Sequence, residues 1–157
     1  RGRYHNFTTW IDFRSYWQIR PRITLAQRTM IWMNEGEDIQ RYCIGGRWGS
    51  RGYRWSEIKG RKMVMLNHEL RFPFAQKLEM NFKSGSIWLA PIRGAIFLDL
   101  GNAWEQEFPG FLSSTGLGFR AALLGALVFR LDLGWKAEHA NIRPQEKFVQ
   151  FFFGWDF

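Results

Sequence analysis

Residues 126–136 read ALVFRLDLGWK. Leu127, Phe129, Leu131, Leu133 and Trp135 fall on one parity, and Arg130, Asp132, Gly134 and Lys136 on the other. Successive side chains of a β-strand point to opposite faces, so a period of two predicts a strand with one apolar and one polar side. The pattern recurs. In VMLNHELRF (64–72), Asn67, Glu69 and Arg71 oppose His68, Leu70 and Phe72. In GAIFLDLG (94–101), Ile96, Leu98 and Leu100 oppose Ala95, Phe97 and Asp99. In KFVQFFFGWDF (147–157), Val149, Phe151, Phe153, Trp155 and Phe157 form a wholly apolar face against a mixed one. GFRAALLGA near 118–126 reads as a weaker strand, and 3–14 and 22–33 as two more. The chain is therefore all-β, with about seven strands near the length of about ten residues that crosses a bilayer at a tilt.

Turn-like sequence separates these runs: YWQIRP, NEGED, FPFAQ, NAWEQEFPGFLSS and EHANIRPQE. Pro73, Pro109 and Pro144 sit at such junctions, where a residue that cannot donate to a ladder is tolerated.

Alternation alone fits a soluble β-sandwich or a transmembrane β-barrel. Composition separates them. Aromatics make up 18% of the chain, including nine Trp and fifteen Phe, while charged residues still make up 23%. A soluble domain would have to bury nearly all those rings, yet the continuous apolar runs of a buried core are missing. No run of eighteen apolar residues is present to form a spanning helix. The charges fall on the mixed faces, and Trp32, Trp88, Trp104, Trp135 and Trp155 lie near the ends of apolar faces, as in the aromatic girdles of a barrel. The expected fold is a transmembrane antiparallel β-barrel, apolar outside and polar inside.

The net charge is +8, with Lys and Arg spread along the chain. A nucleic-acid surface would interleave aromatic and basic residues on one face, whereas here those faces are opposite, so no nucleic-acid partner is expected. The single cysteine, Cys43, can form no internal disulfide, and His5, His68 and His139 do not cluster. Neither a cofactor nor a metal is expected, and the chain does not read as an enzyme.

Residues 45–53, GGRWGSRGY, hold four glycines, two arginines and two large aromatics. The stretch lacks GxGxxG spacing and no helical pattern follows, which excludes a phosphate cradle of that type. Ser50 and Ser56 have no His or Asp at nucleophile spacing. What remains open is which carboxylate Arg47 or Arg51 meets.

Four segments together resemble the carboxy-terminal half of the Omp85 superfamily, the bacterial surface antigen barrel. YCIGGRWGSRGY (42–53) resembles the tip of the family's long sixth loop, and LNHELRFPF (66–74) the strand after it. GAIFLDLGNAW (94–104) resembles the next strand, while GLGFRAALLGALVFRLDLGW and FFFGWDF resemble the last three. The resemblance implies a sixteen-stranded barrel in the outer membrane, of which residues 1–157 supply about the last seven strands. It also implies that the loop around 43–60 folds into the lumen, where Arg51 meets acids on the next two strands. Glu69 and Asp99 are the candidates, because both lie on mixed faces and a buried carboxylate is costly unless paired. Gly49 and Gly52 would let the loop turn beside the guanidinium, and Tyr53 would pack on the wall. Phe153, Trp155 and Phe157 resemble the terminal signal by which outer-membrane barrels are recognised for assembly.

The resemblance implies insertion, assembly or translocation of polypeptides. The partners it implies are outer-membrane lipid, the amino-terminal remainder of the barrel, and client proteins or accessory lipoproteins. DFRSYWQIRPRITLAQR looks most like members whose barrel is fused to another extracytoplasmic domain. The alternative is therefore a barrel serving as anchor or pore for a fused enzymatic or binding domain.

Overall fold

The computed structural model describes residues 5–46, 49–76, 78–82, 85–89, 91–123, 127–137 and 146–155. In chain order the strands are β1 (Asn6–Arg20), β2 (Ile23–Gly36), β3 (Tyr42–Cys43), β4 (Lys59–Gly60), β5 (Lys62–Ala75), β6 (Leu78–Phe82), β7 (Gly85–Leu89), β8 (Ile92–Trp104), β9 (Leu112–Leu123), β10 (Leu127–Ala137) and β11 (Glu146–Trp155). Seven of them form one sheet in the order β1-β2-β5-β8-β9-β10-β11. Every neighbouring pair is antiparallel, a meander whose connections hold, among the described residues, two small hairpins, β3–β4 and β6–β7. The β6–β7 hairpin lies between the strands that the alternation predicts.

The long strands outrun the sequence boundaries. YWQIRP reads as a turn because of its proline, but the period of two continues through it, and Trp17 and Gln18 still pair with Leu25 and Thr24. Only Pro21 and Arg22 make the turn, with Arg22 in the left-handed region at φ 68°. FPFAQ is likewise not a junction. Pro73 lies inside β5, at a register shift between Pro73 and Ala75. The pairing of β2 with β5 ends at Thr24 opposite Arg71, so the missing N–H of Pro73 breaks no bond on that side.

The two faces of the sheet reverse the burial order of a soluble protein. Glu69, Asp99, Ser114 and Asp132 are buried on one face, the face crossed by the segment between β2 and β5. Ile11, Phe13, Ile96, Leu98, Leu117, Leu133, Trp135, Val149, Phe151 and Phe153 are exposed on the other. A continuous apolar surface of this extent marks contact with lipid or another protein. Glu35, Lys62 and Lys147 are the charged side chains that strand parity puts on it, all at the end of the sheet where the long segment leaves. His68 shares this face with Leu70 and pairs in register with Gln27.

Trp32 departs from expectation. It belongs to the loop-bearing face, in register with Met63, where it packs against a small core of Ile44, Tyr53, Ile58, Met63 and Ala103. The loop supplies three of those five residues, so it carries its own apolar footing onto the sheet. Trp104 and Trp135 keep the parity of the apolar face. For Trp88 and Trp155 only the backbone is described.

Candidate functional site

The segment between β2 and β5 doubles back as a hairpin based on Tyr42 opposite Gly60 and Cys43 opposite Lys59. Above that base the backbone closes on itself. The Ser50 amide donates to the Ile44 carbonyl at 2.6 Å, and the Gly46 amide to the Tyr53 carbonyl at 2.8 Å. The glycines permit this in two ways. A Cβ at Gly45 or Gly49 would strike the Arg54 or the Ile44 carbonyl, and Gly46 and Gly52 take φ of 88° and 84°. Arg47 lies outside the described residues. Arg51 follows the closed turn and points into the sheet.

There Arg51 is 2% exposed. Its Nε and Nη2 donate to the two carboxylate oxygens of Asp99, each at 2.6 Å, and its Nη1 donates to Glu69 Oε1 at 2.8 Å. Its own backbone amide donates to Asp99 Oδ2 at 3.1 Å. The guanidinium carbon stands 3.7 Å from the centre of the Phe97 ring, so the cation is stacked as well as paired. Burial favours the neutral form, but the fork to Asp99 and then the field of Glu69 outweigh it, and the pKa of Arg51 rises above its ordinary value. The side chain is cationic at every working pH.

Register explains why these acids meet. Asn67 on β5 pairs with Asp99 on β8, which pairs with Ser114 on β9, and paired residues point to the same side. Asn67 Nδ2 donates to Asp99 Oδ1 at 2.8 Å, and the Ser114 hydroxyl lies 3.5 Å from Oδ2. Glu69 sits one inward step from Asn67, opposite Phe97. It accepts from Arg71 Nε at 2.8 Å and from Arg120 Nη2 at 2.7 Å in addition to Arg51. Glu69 and Asp99 are thus each met by several donors, whereas the buried Asp132 accepts from Arg130 at Oδ2 and its Oδ1 has no partner among the described residues.

The loop reaches further across the sheet. The Tyr53 hydroxyl lies 3.2 Å from both the Ser113 and the Ala137 carbonyls, on β9 and at the end of β10. The Gly52 amide donates to Gln150 Oε1 on β11 at 3.4 Å. Gly52 rests on the Phe148 ring, which itself covers Gly134 of β10, so absent side chains on two elements make room for one ring. Arg51, Gly52, Tyr53, Glu69 and Asp99 therefore form one contiguous cluster.

Phe153 stands apart, exposed on the opposite face. Trp155 ends β11 in register with Leu127, and Phe157 lies outside the described residues. Sequence reasoning missed Phe97, Asn67, Arg120, Phe148 and Gln150. Phe97 and Phe148 carried a readable signal, being large apolar residues at polar-face positions.

The fold and this cluster define a class: a wall of antiparallel strands, apolar on one side, with a glycine-rich loop pinned by arginine to buried acids on the other. The family model for the Omp85 superfamily domain matches residues 2–157, and the chain belongs to that superfamily. Its members are outer-membrane proteins of the polypeptide insertion and translocation family. No curated protein and no solved structure matches the chain.

Proposed function

We propose that residues 1–157 are the carboxy-terminal part of an outer-membrane barrel that inserts, assembles or translocates polypeptides, with the loop around 43–60 folded into the lumen. The observation that carries this reading is Arg51, buried and forked onto Asp99 with a further bond to Glu69. An ion pair of this kind does no bond chemistry. It fixes the loop across β5 and β8, while Gly52 and Tyr53 extend the attachment toward β10 and β11.

In this reading β1 pairs with the amino-terminal remainder of the barrel, and the free edge of β11 closes against the barrel's first strand. A weak closing seam opens and offers its edge to an incoming strand, because an unpaired edge is a template for β-augmentation. The apolar face of Val149, Phe151 and Phe153 meets lipid, and Phe153, Trp155 and Phe157 serve as the assembly signal. Client proteins and accessory lipoproteins are the partners.

The test is Arg51→Ala in the complete protein. Expected are normal insertion, loss of the heat-resistant compact band on a gel, and loss of client assembly. Full retention of both compact migration and client assembly would remove the lock. Loss of compact migration with client assembly intact would favour a barrel that anchors or serves a fused domain.

A further inference from the structure

The outward face of the sheet carries a few polar side chains, and those on β2 and β5 answer one another. β2 presents Gln27 and Glu35 there, and β5 presents His68 and Lys62. Gln27 and His68 are paired in register, and Lys62 pairs with Met33, two residues from Glu35, at the end of the sheet where the long segment leaves. All four are at least partly exposed, and among the described residues none of their side chains has a hydrogen-bonding or ionic partner. Hydrocarbon offers an amide or an imidazole no hydrogen bond, so such groups on this face mark a contact with protein rather than with lipid.

The strip between them is low. Thr29, Ile31, Val64 and Leu66 are half-buried, while Phe13 on β1 and Ile96 and Leu98 on β8 stand exposed on either side. Convex barrel walls touch along a narrow strip, and taller flanks widen such a contact.

We propose that this strip is a two-fold interface between two copies of the chain within the membrane, its axis running along the membrane normal between β2 and β5. That axis sets β2 of one copy against β5 of the other and preserves depth. Gln27 then meets the partner's His68, and Glu35 the partner's Lys62, with each contact made twice. Glutamine carries both a donor and an acceptor, and so does a neutral imidazole. Glu35 and Lys62 carry opposite charges. A two-fold interface requires a surface complementary to itself, and this pattern is one. A uniformly acidic or basic partner would set one of the two charges against a like charge, and an apolar segment would leave all four groups unmet. The proposal rests on the membrane-barrel reading, but on neither the loop lock nor client assembly.

The test uses the complete protein in native membranes and in detergent. With Cys43→Ser removing the native thiol, Thr29→Cys, close to the axis, should give a disulfide-linked dimer on oxidation. Leu133→Cys, exposed on the same face at β10, should not. In detergent, light scattering should report a dimer. Gln27→Leu and Glu35→Lys each remove two contacts and should raise its dissociation constant about 10-fold. Adding Lys62→Glu to Glu35→Lys should restore the original affinity. Gln27→Leu makes the face more apolar, so heat-resistant migration should persist; if it does not, the charge exchange decides. A compact monomer throughout would sink the interface and leave the barrel reading intact. Equal crosslinking through Leu133→Cys, or no restoration by the charge exchange, would also overturn the proposal.

Discussion

Asp99 is 0% exposed, and the cost of that burial is met by Arg51, Asn67 and Ser114 together. Removing one partner of a buried ion pair strands the other, typically at about 3–5 kcal/mol. Arg51→Ala and Asp99→Asn should therefore lower stability against urea by similar amounts in that range. The double variant should cost little more than either alone, since both remove one network. Arg51→Lys should not rescue: an ammonium cannot fork across both Asp99 oxygens, reach Glu69 and stack on Phe97 at once. Urea unfolding of the four variants in detergent checks this, and additive losses would show that Arg51 and Asp99 act separately. Phe97→Ala removes the stacking surface and leaves a cavity at a fully buried ring, so it should cost about 3–5 kcal/mol, comparable to losing the charge.

The loop is the element on which the site depends, and its glycines are structural requirements of different kinds. Gly52 has φ 84°, and a Cβ there would stand 2.5 Å from the Phe148 ring. Gly52→Ala thus meets both a backbone and a steric obstacle. Phe148→Ala in the same chain should relieve the second and leave the first, about 1–2 kcal/mol for a left-handed L-residue. Partial recovery of heat-resistant migration in the double variant is the expected result; complete recovery would mean that φ at this position is free to change. Much of this element was legible in advance. The glycines, Arg51 and the parity of Glu69 and Asp99 are local features, visible once a period of two is followed. The seating of Gly52 was not, because it depends on Phe148 and Gly134, far away in sequence and paired with each other by register. Proline suggests a turn at two strand ends where the chain stays in the sheet. Tertiary pairing carries β1 past Trp17 to Arg20 and β5 past Pro73, because the neighbouring strand supplies or excuses each bond.

At the scale of the whole molecule, the sheet has two free edges. β1 offers fifteen residues and β11 ten. In hydrocarbon each unsatisfied backbone group costs several kcal/mol, so seven open strands are not a stable membrane structure by themselves. The buried network is a second reason. Asp12 and Arg14, on the edge strand β1, are only partly covered. The 157-residue chain refolded alone in detergent should therefore form mixed oligomers through its edges, with no discrete heat-resistant monomer. On the proposed reading, adding the other strands of the larger barrel as a separate chain should restore one compact species by completing the β1 edge. Size-exclusion chromatography with light scattering distinguishes the outcomes. A monodisperse, heat-resistant monomer from this chain alone would mean that β1 and β11 satisfy each other, and that the wall closes with seven strands.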